Sequence, residues 1–241
     1  VEIDTVLDFS NDGGFARSVE LCNGVGACRK LTGTMCPSYM VTRDERHSTR
    51  GRANALRSVL SGVLPASELT GKRLHDTLDL CLECKGCKSE CPSNVDMAKL
   101  KYEFLSRYNK IHGIPLRARL FAHIALINRW SGYLGPLANI GLNNSLVRWF
   151  LHLFLGIHKS RKLPNLASQN FPEWFRKRKY AEKANERKVV LFHDTFMDYN
   201  HPEVGKAAVE LLEATGYQII LANNVCCGRP MISKGMLEQA Q

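Results

Sequence analysis

The strongest constraint in this chain is a run of cysteines, Cys81, Cys84, Cys87 and Cys91, closed by Pro92. The spacing C-x2-C-x2-C-x3-C-P is the ligand run of cubane iron–sulfur proteins. Three thiolates two residues apart wrap one face of a cluster, and the fourth, turned away at the proline, commonly serves a neighbouring cluster. A zinc ion takes four ligands in a tetrahedron, usually from two separated pairs, so a tight triplet with a Cys-Pro end fits it poorly.

An altered copy lies upstream, Cys22-x5-Cys28-x7-Cys36-Pro37, with Val25 where a middle cysteine is expected. If the Cys-Pro cysteines swap between clusters, Cys81, Cys84 and Cys87 take Cys36 for a complete [4Fe-4S] site, leaving Cys22, Cys28 and Cys91 for the other. Three thiolates suit a [3Fe-4S] cluster, or a [4Fe-4S] cluster completed by a non-cysteine ligand. The alternative is one cluster on Cys81, Cys84, Cys87 and Cys91, with the upstream three buried or free. Gly24, Gly26 and Gly33 either bring backbone N–H groups to the sulfurs or make ordinary turns. Arg29, Lys30, Lys85 and Lys88 either offset the negative charge of a cluster or form a solvated basic face.

Composition narrows the class. With 241 residues, 44% hydrophobic and 23% charged, the chain is globular, of one or two domains. The 33 basic and 23 acidic residues give +10, but the two signs alternate along the chain, which weakens a simple nucleic-acid reading. Nine cysteines are an odd number for a disulfide framework, and the spacings are those of metal ligands. A reducing, cytoplasmic compartment is expected. The longest uncharged run near the middle, residues 131–147, is broken by glycines, Pro136 and asparagines, so no spanning helix is expected. Residues 151–157, with Arg148 and Lys159 beside them, can still touch the inner face of a membrane peripherally. Val1 in place of Met, and an end inside an unfinished αβ unit, suggest a piece of a larger polypeptide.

Three zones are expected: residues 1–112, 113–187 and 188–241. In the first, Ala53, Leu56, Val59 and Leu60 predict an amphipathic helix over 44–60, with Arg43, Arg46, Arg50, Arg52 and Arg57 on its other face. Those arginines either dock an acidic partner or pair with Asp44 and Glu45. Leu74, Leu78 and Leu80 predict a second helix, and 95–109 a third, capped by Ser93 or Asn94 and ended by Gly113. The second zone reads as packed helices broken at Gly135-Pro136, followed by a basic stretch, 174–188, that is a linker or a helix. The third reads as a βαβ unit: strand 189–192, helix 202–215 ended by Gly216, strand 217–222. One such unit cannot close a stable sheet, because both faces of a parallel sheet need cover. The fold class is therefore mainly α, with the start of an α/β domain at the end.

Three segments, CNGVGACRK with GTMCPSYMVTRDERHSTRGRANALR, LCLECKGCKSECPSNVDMAK and CCGRPMISKG, together resemble the C-terminal iron–sulfur region of bacterial FAD-linked D-2-hydroxyacid dehydrogenases and oxidases, the D-lactate, D-2-hydroxyglutarate and glycolate group. The resemblance implies an α-helical ferredoxin module on residues 1–112, a helical extension with a basic linker on 113–187, and a partial cysteine-rich CCG domain on 188–241. It also implies a flavin domain with FAD, on the same polypeptide or complex, ahead of this region. Electrons would pass from reduced flavin through the clusters to a quinone or a soluble carrier. No catalytic acid or base is then expected here, and an oligomer is open. The aliphatic Val25 is similar to the pattern at the [3Fe-4S] site in iron–sulfur subunits of succinate dehydrogenase and fumarate reductase. In the cysteine-rich domain, His193-Asp194-Thr195 stands where cluster-holding relatives usually supply a cysteine, so Cys226 and Cys227 are expected to be structural.

Competing readings are an iron–sulfur subunit of a succinate dehydrogenase, fumarate reductase or heterodisulfide reductase type of complex, a zinc-stabilised nucleic-acid-binding module, and a docking scaffold whose clusters are only structural. His47, His75 and His112 are read as surface or packing residues.

Overall fold

The computed structural model of the chain describes residues 3–132, 135–178, 187–223 and 226–241. It divides into two compact units, Val1–Pro115 with Met231–Gln241, and Leu116–Pro230.

The first unit is built on three helices. Thr49–Leu60 begins at Ser48, whose hydroxyl accepts from the Gly51 N–H at 2.9 Å. Gly51 is required there, since a Cβ would sit 1.9 Å from the Glu45 carbonyl oxygen. The helix buries Thr49, Arg52, Ala53, Leu56 and Val59, which recur at i, i+3, i+4, i+7 and i+10. Lys72–Asp79 contributes Leu74 and Leu78. Met97–His112 contributes Met97, Leu100 and Phe104, and ends at Gly113 with φ 76°. Its N-cap is Asp96, which accepts from the Lys99 N–H at 3.0 Å, rather than the expected Ser93 or Asn94. Asn94 lies in the left-handed region at φ 54°, two residues too early to reach the first turn. Each fully buried Leu or Phe here contributes about 1.5–3 kcal/mol. Cys22, Cys28, Cys36 and Cys87 belong to this same core.

Two further groups tie the unit together. The buried Glu103 carboxylate accepts from the Val6 and Leu7 N–H groups at 3.1 Å, fixing the N-terminal segment. Leu237 packs on Ala98 and Tyr102, and Asn109 Nδ2 donates to the Lys234 carbonyl at 2.7 Å.

In the second unit, four helices cover the zone expected to be helical: Leu116–Ala122, Ile124–Gly132, Pro136–Asn143 and Ser145–Leu155. Phe171–Lys177 is a fifth, so the basic stretch opens on the end of a helix, while residues 179–186 lie outside the described ones. The βαβ unit follows as strand Arg187–Leu191, helix Pro202–Ala214 and strand Tyr217–Leu221, with an added short helix Thr195–Tyr199. The strands pair in parallel, Val189 opposite Ile219 and Val190 opposite Ile220. Val189 and Ile219 face a small core with Phe171 and Val209, whereas Val190 and Ile220 are exposed on the other face. Pro202–Ala214 crosses close to Phe171, and Gly205 makes that approach feasible: a Cβ there would lie 2.6 Å from the ring.

Candidate metal centre

The cysteine run occupies the connection between helices Lys72–Asp79 and Met97–His112. Glu83 and Lys85 adopt left-handed backbone, φ 57° and 58°, and the short helix Gly86–Glu90 follows. This path curls the chain so that N–H groups point inward. The Glu83 N–H donates toward the Cys81 sulfur and the Met97 N–H toward the Cys87 sulfur. A buried ion pair supports the loop from below. Lys101 Nζ lies 3.1 Å from the Glu83 carboxylate and also donates to the Asp79 and Cys81 carbonyls, at 3.1 and 2.8 Å.

Cys36 arrives from the upstream segment and joins this loop. Cys36, Cys81, Cys84 and Cys87 line one cavity, with Arg52 and Met97 completing its wall. Cys91 is not part of that lining. The two segments are clamped by Glu90, whose carboxylate accepts from the Thr34 and Met35 N–H groups at 2.8 and 3.3 Å and pairs with Lys30. The Lys30 ammonium, with the Thr34 N–H behind it, holds the Glu90 carboxyl down to about 2. Gly86 permits the approach: a Cβ there would meet the Thr34 methyl group at 3.3 Å.

Arg52 is the residue the sequence misplaces. Expected on the outer face with the other arginines, it is 0% exposed and sits in the apolar stripe of Thr49–Leu60. Its Nη1 donates to Cys36 Sγ at 3.5 Å, Nη2 to Ser38 Oγ at 2.9 Å and Nε to the Thr77 carbonyl at 3.2 Å. The signal was present: i, i+3, i+4 periodicity from Thr49 runs through position 52. Among its neighbours, Arg46 pairs with Asp44 and Arg50 with Glu45, while Arg57 bonds Asn54 and the Cys22 carbonyl. The cations read as offsets for cluster charge are largely engaged elsewhere: Arg29 pairs with Glu45, Lys30 with Glu90 and Lys85 with Asp96.

Burial raises the Cys81 thiol and pushes Cys87 up to about 11, so metal cations must bind there for both to be thiolates. The surroundings fit a polynuclear group that is anionic once its thiolates are counted. Four cysteines ring a space, N–H donors face the sulfurs, and a guanidinium lies buried in the wall. Among the described residues, no three Cys, His, Asp or Glu side chains converge on a point that one metal ion could occupy.

The other upstream cysteines form a second locus. Cys22 and Cys28 are buried, and the Arg50 N–H donates to Cys28 Sγ at 3.3 Å. Burial raises the Cys28 thiol, partly offset by that bond and the Ser48 hydroxyl, and the charges of Cys36 and Cys22 raise it further. Cys91 is partly buried against the same core. Val25 is 59% exposed on a loop turned by Gly24 and Gly26, φ 81° and 75°.

In the second unit, Cys226 is partly buried and Cys227 exposed. His193, which stands in place of the looked-for cysteine, is buried with Nδ1 2.7 Å from Asp198 Oδ1 and Nε2 3.2 Å from the Ala222 carbonyl oxygen. It braces the ends of both strands, and Asp194 caps Thr195–Tyr199. Burial raises the Asp198 carboxyl, partly offset by His193. His75 and His112 stack on either side of Tyr108, at 4.4 and 4.2 Å, and His47 bonds Thr42 Oγ1 at 2.9 Å.

Residues 21–96 match the family described as a 4Fe-4S dicluster domain, and residues 190–241 the family described as a cysteine-rich domain. The chain thus carries the two modules that the resemblance implied. It is 26% identical to D-2-hydroxyglutarate dehydrogenase of Pseudomonas putida, over 90% of this chain and 26% of that protein. It is 25% identical to the glycolate oxidase iron-sulfur subunit of Escherichia coli K12, over 83% of this chain and 45% of that one. To the probable glycolate oxidase iron-sulfur subunit of Bacillus subtilis it is 24% identical, over 80% and 46%. The chain therefore spans less than half the length of each of these relatives. No solved structure gives a significant match. No helix among the described residues is long and apolar enough to cross a membrane.

Proposed function

We propose that this chain is the electron-relay part of an FAD-linked D-2-hydroxyacid dehydrogenase or oxidase, accepting electrons from a flavin domain of the same polypeptide or complex and passing them to a quinone or soluble carrier. The observation that carries the reading is the cavity in which Cys36, from the upstream copy, stands with Cys81, Cys84 and Cys87. Those four would hold a [4Fe-4S] cluster, and Cys22, Cys28 and Cys91 a second one of the [3Fe-4S] or [4Fe-4S] type. Such clusters supply one-electron redox chemistry, which splits the two electrons of a reduced flavin. The chain's own residues hold and insulate them: Glu90 clamps the two ligand segments, and the Glu83–Lys101 pair stiffens the loop. The match to a dicluster family and the names of the relatives support this reading. Its domain limits are proposed as 1–112 for the ferredoxin-type module, 113–187 for the extension and 188–241 for the partial cysteine-rich domain.

The test is electron paramagnetic resonance with iron and zinc counting on anaerobically prepared chain, as isolated and after reduction. A [3Fe-4S] signal when oxidised and a [4Fe-4S] signal on reduction are expected. Iron for one cubane alone reduces the reading to a single cluster, and zinc without iron overturns it.

Peripheral contact with an anionic membrane belongs to the same proposal. Leu146, Trp149, Phe150, Leu153 and Phe154 recur at i, i+3, i+4, i+7 and i+8 on Ser145–Leu155, and all are exposed. Across residues 116–172 every Asp, Glu, Lys or Arg is a cation, Arg117, Arg148, Lys159, Arg161 and Lys162 among them. Cosedimentation with anionic but not neutral phospholipid vesicles, abolished in the double variant F150S/F154S, is the expected result. Equal recovery with both vesicle types would remove the contact from the proposal.

A further inference from the structure

We infer that Arg52 is the internal counter-ion of the cluster that Cys36, Cys81, Cys84 and Cys87 would bind, so that it sets the reduction potential of that cluster and the need of the empty fold for it. The inference rests on the ligand set proposed above and adds to it a residue that is not a ligand.

Arg52 has no exposed surface, and its hydrogen-bond partners are a carbonyl, a hydroxyl and a cysteine sulfur. Among the described residues, no carboxylate oxygen lies within 4.0 Å of its guanidinium. The other buried cation near the cysteines, Lys101, is neutralised by Glu83. Arg52 is therefore a full positive charge removed from water without a carboxylate, a state that costs several kcal/mol unless an anion meets it. The one candidate in reach is the wall it shares with the four cysteines: its fork touches Cys36 Sγ, and its charge also acts on Cys81.

Two consequences of opposite sign follow. With no cluster bound, Arg52 has, among the described residues, no carboxylate partner in the interior and weakens the fold. With an anionic cluster in place, it is compensated, and because reduction adds a further negative charge beside it, it favours the reduced state and raises the potential. A residue that merely fills space would be favourable in both states, so the two roles separate.

The experiment compares the full chain with the variants Arg52→Met, which keeps the reach and drops the charge, and Arg52→Lys, which keeps the charge and drops the fork. Each is read three ways: thermal unfolding of the cluster-free chain, iron per chain, and a redox titration followed by electron paramagnetic resonance. In the Arg52→Met chain the cluster-free protein should unfold no earlier than the parent, and the midpoint of the [4Fe-4S] signal should shift to a more negative potential. The second cluster's signal should stay in place, and Arg52→Lys should fall between the two. An Arg52→Met chain that loads its cluster at the parent's potential overturns the inference. So does one whose cluster-free form is destabilised as much as the loaded form, the result expected of a packing role. Should Arg52→Met fail to load, Arg52→Lys decides: loading restored by lysine supports a charge role, and failure of both overturns it. If the parent chain itself binds no iron, the ligand set falls first, and that outcome is distinct from all of these.

Discussion

The helices Met97–His112 and Ser145–Leu155 show how differently the two units treat polarity. The first carries Lys101 and Glu103, and buries both. The second reads SLVRWFLHLFL, far more apolar, and buries no residue. Hydrophobicity alone therefore does not decide what goes inside. In the unit that carries the cysteine run, charged groups are drawn in because backbone loops and sulfurs need partners that an apolar core cannot provide: Lys101 holds carbonyls of the cysteine loop, Glu103 holds the N-terminal segment, and Arg52 faces Cys36. On Ser145–Leu155 in the other unit, Leu146, Trp149, Phe150, Leu153 and Phe154 stay exposed, and the stretch around them, residues 116–172, carries cations and no acid.

The contrast can be broken most sharply at the sulfurs. Cys81→Ser or Cys87→Ser should remove one cluster's iron and its cubane signal, whereas Cys227→Ser, on the exposed loop of the second unit, should leave the iron count unchanged. Iron loss from the Cys227 variant would join the two units in a single metal site and erase the distinction. Next in size is Lys101→Met, which strands the Glu83 carboxylate in the interior and should lower stability to denaturant by about 3–5 kcal/mol. Pairing it with Glu83→Leu should recover most of that loss, and a double variant as weak as the single would contradict the ion-pair account.

The second unit offers the smaller test. Gly205→Ala pushes a methyl group to within 2.6 Å of the Phe171 ring and should cost about 1–3 kcal/mol, read through Trp174 fluorescence, with iron content unaltered. The smallest effect concerns the half-buried Glu90 clamp. The Glu90 carboxyl is held near 2 against an ordinary value of 4.5, so its contribution is fully present above about 4.5 and is lost as the pH falls through about 2. Protection of the Thr34 and Met35 amides, their exchange relative to the intrinsic rate at each pH, should fall over that window in the parent chain, and Glu90→Gln should flatten the response. A midpoint near 4.5 would mean that the clamp does not form.

What could be read from the sequence was what is local. The spacing of Cys81, Cys84 and Cys87 constrains a single turn-rich loop, and the stripe Ala53, Leu56, Val59 marks one helix face, so both were legible. The parallel βαβ pairing was legible too, because strand, helix and Gly216 stand in order along the chain. The departures came from contacts between distant segments. Nothing near Glu90 announces that its carboxylate meets Thr34 and Met35, and Ser93 and Asn94 look like better caps than Asp96 until the left-handed turn at Asn94 is known. Arg52 was missed for another reason: residue type outweighed position. An arginine was assigned to the surface although periodicity placed it inside.

The spacing of the proposed ligands would also order events during folding. Cys81, Cys84 and Cys87 lie within one short loop, while Cys36 stands 45 residues upstream (81 minus 36), with helices Thr49–Leu60 and Lys72–Asp79 in between. Cys81, Cys84 and Cys87 could gather from a barely folded chain, whereas Cys36 would join them most readily once those helices have packed and brought the two ends of the intervening loop together. On the proposed ligand set, the fourth iron–sulfur bond then works as a cross-link over that loop and withdraws its closure entropy from the unfolded chain. On that ligand set, completing the site would come late in folding: a chain in which the two helices have not met would have three cysteines gathered and the fourth still apart.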